Sequence, residues 1–234
     1  MISVDAMGYG SGDDQRQSDV QTGLLDVLNQ AAASAGLDRD NWERQGAGDG
    51  EFSVLLPQTA EGRLVGDFPR YLAAFLNRRN GNAPWENRLR LRLAIHYGTA
   101  IADVNGRSGQ GPVEVARLCD SPPLRAALKE SEADLAVMLS DRIFTDIVRH
   151  GHALSVDPKD FREVKVQVKE FSERAWLWIP RGRTIHSLTL AIPPDEAPAP
   201  TARSGGSLPK QSASVHNEFH ERVDARGANF GFGG

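Results

Sequence analysis

The segment from Arg88 to Ile95 constrains the fold most strongly, because apolar and basic residues alternate along it. Leu89, Leu91, Leu93 and Ile95 take every second position, and arginines fill most positions between them. A period of two is the signature of a β-strand that buries one face. The segment therefore predicts a half-buried strand. Its arginine face is expected to be solvated or, alternatively, to form an interface or a phosphate-facing surface.

Helical and strand patterns alternate along the first 180 residues. Apolar residues recur at helical spacing over residues 20–31 and 68–79, and residues 112–129 predict two short helices broken at Pro122-Pro123. The elements predicted after them are a strand over 135–139, a helix over 141–149 and a closing strand pair over 161–169 and 175–179. This order predicts an α/β (α+β) domain, βαββαβ with additions, whose sheet is covered mainly on one face.

Two short acidic motifs carry the candidate chemistry. Asp5 follows an apolar strand-like start and precedes glycines, and Asp49 lies between two glycines just before the apolar run 52–56. Each pattern predicts a carboxylate at a strand end or a hairpin tip, although each aspartate could equally be an ordinary turn residue. On neighbouring strands, the two carboxylates would suit Mg²⁺ or Mn²⁺, which complete their coordination with substrate phosphates.

These motifs and four later ones resemble, in order and spacing, the catalytic domain of the class III nucleotide cyclases. Asp5 with Gly8 and Tyr9 is similar to the first metal motif of that family, and Asp49 to its second metal aspartate. Residues 93–98, Leu-Ala-Ile-His-Tyr-Gly, are similar to the family's strand that ends in Gly-Ile-His-x-Gly. The other similarities are to the end of its arginine-bearing helix at 115–118, to a Ser-acidic helix start at 140–141 and to a Val-Lys strand at 166–169. The resemblance covers roughly residues 1–180. It implies a ferredoxin-like sheet-and-helix sandwich with extra closing strands.

The resemblance also implies a reaction and an assembly. Asp5 and Asp49 would hold two Mg²⁺ or Mn²⁺ ions per site, and the ribose 3′-hydroxyl would attack the α-phosphorus and expel pyrophosphate. Arg117 would stabilise charge on the phosphoryl oxygens, and Lys169 would do the same for the leaving group. In the family the sites lie between two chains, so the resemblance implies a homodimer in which the metal ligands and the arginine come from different chains.

The nucleotide-binding half of the motif pattern is only partly present. The contacts implied by the resemblance come from the residues after Asp5 and from the strand before Asp49: Ala6, Met7, Gly8, Tyr9 and Gln45. Glycine lets the backbone approach a phosphate closely. However, Gln45 stands where the family has a purine-reading lysine, and Val113 stands where it has a ribose-positioning asparagine. This pattern indicates altered nucleotide choice or loss of catalysis.

Two functions follow as hypotheses. The first is a divergent nucleotide cyclase-like signalling protein that forms a cyclic nucleoside monophosphate and pyrophosphate from a nucleoside triphosphate. The alternative is a catalytically inactive, cyclase-derived module that binds a nucleotide and acts through a self-associating C-terminal tail.

Composition divides the chain into three segments. Residues 1–182 form the predicted cyclase-like domain, and residues 183–211 form a linker rich in Pro, Gly and Ser. Residues 212–234 regain Val, Phe, Asn and Gly, and they weakly resemble amyloid-type signalling motifs. They would then recruit a partner with a similar segment, although an unstructured end is the other interpretation.

Charge and cysteine content limit the remaining possibilities. A net charge of −4 argues against a broad nucleic-acid surface. The sequence has no apolar run approaching ~18 residues and no charged-then-apolar leader, so we expect neither a membrane span nor a secretory signal. The one cysteine, Cys119, excludes an internal disulfide and is expected to pack as a small apolar group. A cytoplasmic location is the default expectation.

Overall fold

Nine strands lie in the part of the chain that the computed structural model describes, namely residues 1–8, 14–103, 106–181 and 185–190. The strands are β1 (Ile2–Ala6), β2 (Glu43–Ala47), β3 (Gly50–Val54), β4 (Leu91–Ile95), β5 (Ile101–Asp103), β6 (Gly106–Ser108), β7 (Leu135–Ser140), β8 (Arg162–Val168) and β9 (Phe171–Trp178). Seven of them form one sheet in the order β2-β3-β1-β4-β7-β9-β8, and β5 and β6 form a separate hairpin. Within the large sheet β4 and β7 run parallel, and the other neighbours are antiparallel.

Helices connect the strands and cover the sheet. The α-helices are α1 (Asp14–Ser34), α2 (Phe68–Asn80), α3 (Gln110–Cys119), α4 (Pro122–Ser131) and the short α5 (Asp141–Ile143). Two π-helical segments adjoin them, Arg63–Asp67 before α2 and Phe144–Arg149 after α5. The 3₁₀ turns are Arg39–Asn41, Trp85–Asn87, Pro158–Asp160 and Ile185–Ser187. This architecture confirms the predicted α/β sandwich with extra closing strands, and it also confirms the helix break at Pro122.

One face of the sheet packs against α1 and α2. Leu91, Leu93 and Ile95 of β4 are fully buried in this layer, together with Leu28 of α1 and Leu72 of α2. The apolar spacing in both helices places their buried side chains on a single stripe, as the sequence predicted. The layer therefore supplies the main core and fixes the position of β1 between β3 and β4.

The opposite face of the sheet is covered as well, which corrects the expectation of a sheet covered mainly on one face. Leu118 of α3 and Leu124 of α4 are buried in a second cluster with Ala94 and Met138 of the sheet. Small side chains such as Ala94 allow a helix to approach the sheet closely. Arg92 of β4 and Arg90, directly before this strand, lie on this face, and Arg90 is only 6% exposed. A solvated basic face was therefore the wrong interpretation.

The described chain continues past residue 182, where Ile185 and Leu188 pack into the second cluster. Tyr9, most of the predicted linker 183–211 and the whole tail 212–234 lie outside the described residues. The division into domain, linker and tail therefore stays a prediction. Within the described residues, no helix is both long enough and apolar enough to cross a membrane.

Candidate active site

One predicted metal ligand, Asp5, lies on β1, and the other, Asp49, lies in the loop directly before the neighbouring strand β3. Asp5 of β1 is paired with Gly50 of β3, the residue directly after Asp49. The backbone N–H of Ala6 donates to the carbonyl oxygen of Asp49 at 2.9 Å. The fold thus brings Asp5 and Asp49, which are far apart in the sequence, to the same end of the neighbouring strands β1 and β3.

Asp49 is held by the glycines on both sides of it. Gly48 and Asp49 form the two-residue loop between β2 and β3, and Gly48 has φ +55°, a conformation that favours glycine. A Cβ atom on Gly50 would overlap the carbonyl oxygen of Val4. One glycine therefore permits the turn, and the other permits β3 to lie close to β1.

A cleft of about 940 Å³ opens beside this hairpin. One wall is the end of β1 with the hairpin tip, and another is the outer side of α4. The lining residues with the most direct bearing on chemistry are Met7, Gly8, Asp49, Arg92, Arg125 and Lys129. Small-molecule sites commonly have volumes of roughly 300–1,000 Å³. The cleft is therefore large enough for a nucleotide, and both acidic and basic groups line it.

A chain of charged side chains runs from Asp5 into the cleft. Arg92 pairs with the carboxylate of Asp5, and its Nη1 lies 3.3 Å from Oδ1 of Asp120. Arg125 pairs with the same Asp120 oxygen. Burial lowers the pKa of Arg92 from its usual value, but an arginine in a protein keeps its charge. Asp5 therefore already has a cationic partner inside the protein.

The donor atoms at this edge suit a hard divalent cation. Asp5 and Asp49 supply carboxylate oxygens, the ligands that Mg²⁺ and Mn²⁺ prefer. Among the described residues, no cluster of three or more His, Cys, Asp or Glu side chains is arranged to hold an ion. An ion here would thus need water or phosphate oxygens to complete its coordination, and it would have to compete with Arg92 for Asp5.

The backbone after Asp5 is less available than the glycine motif suggested. The N–H of Ala6 is bonded to Asp49, and the N–H of Met7 donates to the carbonyl oxygen of Arg90 at 2.9 Å. These two amides extend the sheet and do not point at a ligand. Gly8, with φ +82°, and the half-exposed side chain of Met7 line the cleft directly.

Arg117 and Lys169 lie in adjacent parts of the molecule. Nη2 of Arg117 is 3.5 Å from Oε2 of Glu170, and its guanidinium lies 6.0 Å from the centre of the Phe171 ring. Lys169 and Glu170 form the turn between β8 and β9, and Lys169 has φ +54°. The two residues before Lys169 line the cleft. The β8–β9 turn therefore brings Lys169 close to a wall of the cleft, but neither Lys169 nor Arg117 is among the lining residues.

The two departures from the family pattern are both at the surface. Gln45 is exposed on β2, the edge strand, where it pairs with Phe52. Val113 is 46% exposed on α3. Neither residue is among those that line the cleft. The predicted nucleotide contact of Gln45 would therefore have to form outside the cleft of one chain.

Arg92, Asp120, Arg125 and Lys129 are the candidate residues that the sequence did not identify. Arg92 belonged to a recognised alternating pattern, but the pattern gave no sign of its carboxylate partners. Arg125 and Lys129 are spaced four apart on a helix, which places them on one face. That spacing could have suggested a basic helix face, but not the cleft beside it.

Comparison with solved structures identifies the fold. The structure of an adenylate/guanylate cyclase/hydrolase from Silicibacter pomeroyi matches 76% of this chain and 95% of its own, with a TM-score of 0.50 and 18% identity. The chain has the class III nucleotide cyclase fold. The guanylyl cyclase Cya2 matches 82% of this chain and 95% of its own, with a TM-score of 0.50 and 13% identity.

The comparison confirms the class III cyclase-like fold that the sequence motifs indicated. No protein-family model matches the sequence, and no curated protein matches it either. At 13–18% identity the likeness defines the course of the backbone and not the chemistry. Function must therefore be argued from the cleft and its charged residues.

Proposed function

We propose that this protein is a divergent nucleotide cyclase-like signalling protein that converts a nucleoside triphosphate into a cyclic nucleoside monophosphate and pyrophosphate. The observation that supports it most is the position of Asp5 and Asp49. Asp5 lies on β1 and Asp49 in the loop before the neighbouring strand β3 of a class III cyclase fold, beside a cleft of about 940 Å³. Two oxygen ligands next to a cleft of that size suit a metal–triphosphate complex.

The proposed reaction is an internal displacement at phosphorus. The ribose O3′ forms a bond to the α-phosphorus, the bond from the α-phosphorus to the pyrophosphate oxygen breaks, and the 3′-hydroxyl proton passes to water. Divalent ions, when bound, polarise the triphosphate and lower the pKa of that hydroxyl. Asp5 and Asp49 would hold the ions. Arg125 and Lys129 of α4 would attract the polyphosphate electrostatically.

We further propose that a second copy of the chain completes the site. Arg117 and Lys169 would act on the nucleotide bound at Asp5 and Asp49 of the other chain. The partner of Arg117 within its own chain is Glu170, whose side chain is 85% exposed. Such an exposed ion pair contributes little and exchanges readily, so Arg117 can turn to a phosphate at low cost.

The alternative function is nucleotide binding without turnover, and it has its own support. Asp5 is paired with Arg92, and the amides of Ala6 and Met7 are used within the sheet. Both features reduce the capacity of this edge to bind metal and phosphate. In this alternative the cleft binds a nucleotide, and residues 212–234 recruit a partner with a similar segment.

A substrate screen separates the two functions. The purified protein is incubated with Mn²⁺ and, separately, ATP, GTP, CTP or UTP, and pyrophosphate and cyclic monophosphates are measured by mass spectrometry. Asp49→Asn is the matched control, because it keeps the shape of the side chain and removes its charge. A product from one nucleotide that this control loses supports the cyclase. If a folded dimer forms no product but still binds a nucleotide, the binding module is favoured.

A further inference from the structure

Arg92 connects the predicted metal ligand Asp5 to a second carboxylate at the cleft. Its guanidinium pairs with Asp5 and also lies 3.3 Å from Asp120. The Arg92 side chain is only 11% exposed, whereas that of Asp120 is 59% exposed. A largely desolvated cation thus stands between a half-buried acid and an exposed one.

We propose that Arg92 is a built-in competitor for the cation site at Asp5, and that a divalent ion binds Asp5 only when the guanidinium shifts to Asp120. This inference rests on the metal site of the proposed function. In proteins, Mg²⁺ usually binds directly to one or two carboxylates, and Mn²⁺ prefers the same oxygen ligands. A guanidinium paired with the same carboxylate both occupies those oxygens and repels the incoming ion.

The contacts of Arg92 allow such a shift. Its Nε is buried and has no hydrogen-bond partner among the described residues, so its present position leaves one donor unsatisfied. Arg90, two residues earlier, is held differently: its Nε donates to the carbonyl oxygen of Ala133 at 3.0 Å, and its Nη2 donates to Leu128. Arg90 is held by hydrogen bonds to backbone carbonyl oxygens, whereas Arg92 is held by ion pairs with carboxylates, to which other cations can also bind.

Asp120 is the second carboxylate with which the Arg92 guanidinium pairs, and Arg125 competes for the same carboxylate. Arg125 pairs with the same oxygen of Asp120, and its Nε donates to the Asp120 carbonyl oxygen at 3.0 Å. Asp120 is therefore shared between two arginines, which weakens its hold on Arg92. A polyphosphate in the cleft would offer both arginines further acceptors. We therefore expect nucleotide to tighten metal binding at Asp5.

The inference is tested by Mn²⁺ titration of the purified full chain, with free Mn²⁺ followed by electron paramagnetic resonance. Arg92→Gln and Arg125→Gln form a matched pair: each removes one positive charge that contacts Asp120, but only Arg92 contacts Asp5. We expect Arg92→Gln to bind Mn²⁺ about tenfold more tightly than the wild type. Arg125→Gln, whose charge lies farther from the ion and is more screened, should change the Kd by less than about threefold.

Two further variants keep the test decisive if Arg92→Gln folds poorly. Asp120→Asn removes the charge of an exposed side chain and leaves Asp5 as the charged partner of Arg92, so it should weaken Mn²⁺ binding several-fold. Adding Asp5→Asn to Arg92→Gln should abolish the gain in affinity. Equal Kd values for the wild type, Arg92→Gln and Asp120→Asn, in protein shown to be folded by circular dichroism, would overturn the inference while leaving the metal site intact.

Other results separate the inference from the proposed function. If neither the wild type nor any variant binds Mn²⁺, the inference and the metal site of the proposed function both fail. If Arg92→Gln tightens Mn²⁺ binding but the wild type turns over no nucleotide, the inference is supported and only the proposed activity fails.

Discussion

Arg39 and Glu51 form a bidentate ion pair beneath the hairpin that carries Asp49. Nη1 of Arg39 lies 2.8 Å from Oε1 of Glu51, and Nη2 lies 2.9 Å from Oε2. The two side chains are only 5% and 4% exposed. Ser53 also donates to Glu51 at 2.6 Å, and Asn29 accepts from Nε of Arg39 at 2.8 Å. Because Glu51 is two residues from Asp49, this network fixes the start of β3 and hence the hairpin tip.

The first prediction concerns this ion pair. Glu51→Ala should lower the free energy of unfolding by about 3–5 kcal/mol, because it leaves the Arg39 guanidinium buried without its counter-ion. Replacing both partners with apolar residues, Arg39→Met with Glu51→Leu, should cost much less. Urea unfolding measures both values. If the double variant is as unstable as Glu51→Ala, the loss in Glu51→Ala does not come from leaving the charge of Arg39 unpaired.

The second prediction concerns the close approach of β3 to β1. Gly50→Ala places a Cβ against the carbonyl oxygen of Val4, a backbone atom that cannot move without shifting β1. We expect a loss of about 1–3 kcal/mol, as in other overpacked sites, together with weaker Mn²⁺ binding because Asp49 is displaced. Gly46→Ala on β2 is the control, because a Cβ there meets no atom within 4 Å. Similar losses in stability at the two positions would contradict this explanation.

The glycines show which parts of the site could be predicted from sequence. The Gly-Asp-Gly pattern predicted the hairpin because turn chemistry is local and needs only the residues of the turn. The helices and strands were predictable for the same reason, because the spacing of apolar residues along the sequence indicates which face of a helix or strand is buried.

The environment of the arginines in and just before β4 could not be predicted in that way. Arg90 and Arg92 alternate with leucines as solvent-facing residues would, but Arg90 is bonded to carbonyls of Leu128 and Ala133, and Arg92 is paired with Asp5 and Asp120. These partners come from other elements of the fold. The alternation shows that the arginines face away from the leucines. It does not show which residues, distant in the sequence, neutralise their charge.

The third prediction concerns Cys119, which is buried and whose Sγ lies 3.4 Å from the carbonyl oxygen of Ser3. Burial raises the pKa of its thiol to about 11, from an ordinary value near 9. Little thiolate forms at pH 8, so the folded protein should resist iodoacetamide, whereas protein unfolded in urea should react readily. Intact mass spectrometry measures the modified fraction. Rapid alkylation of the folded protein would show that the site opens.

The same raised pKa predicts a pH dependence of stability. The unfolded chain loses the thiol proton near pH 9, whereas the folded protein keeps it until about pH 11. The folded state therefore binds more protons in this range, and its stability should fall as the pH rises from 9 to 11. Cys119→Ala should lack this component of the decline. Urea unfolding at several pH values measures the free energy of unfolding of the wild type and of Cys119→Ala. If this free energy falls with pH at the same rate in both proteins, Cys119 does not cause the decline.

The final prediction separates backbone strain from chemistry at Lys169. With φ +54°, this lysine adopts a left-handed conformation that costs a residue with a Cβ about 1–2 kcal/mol. Lys169→Gly should therefore stabilise the fold by about 1 kcal/mol, whereas Lys169→Ala keeps the strain and should not. Both variants remove the ammonium group. If Lys169 acts on the leaving pyrophosphate, both variants should lose turnover to a similar extent, although only Lys169→Gly stabilises the fold. A fully active Lys169→Gly protein would show that the residue has no role in the reaction.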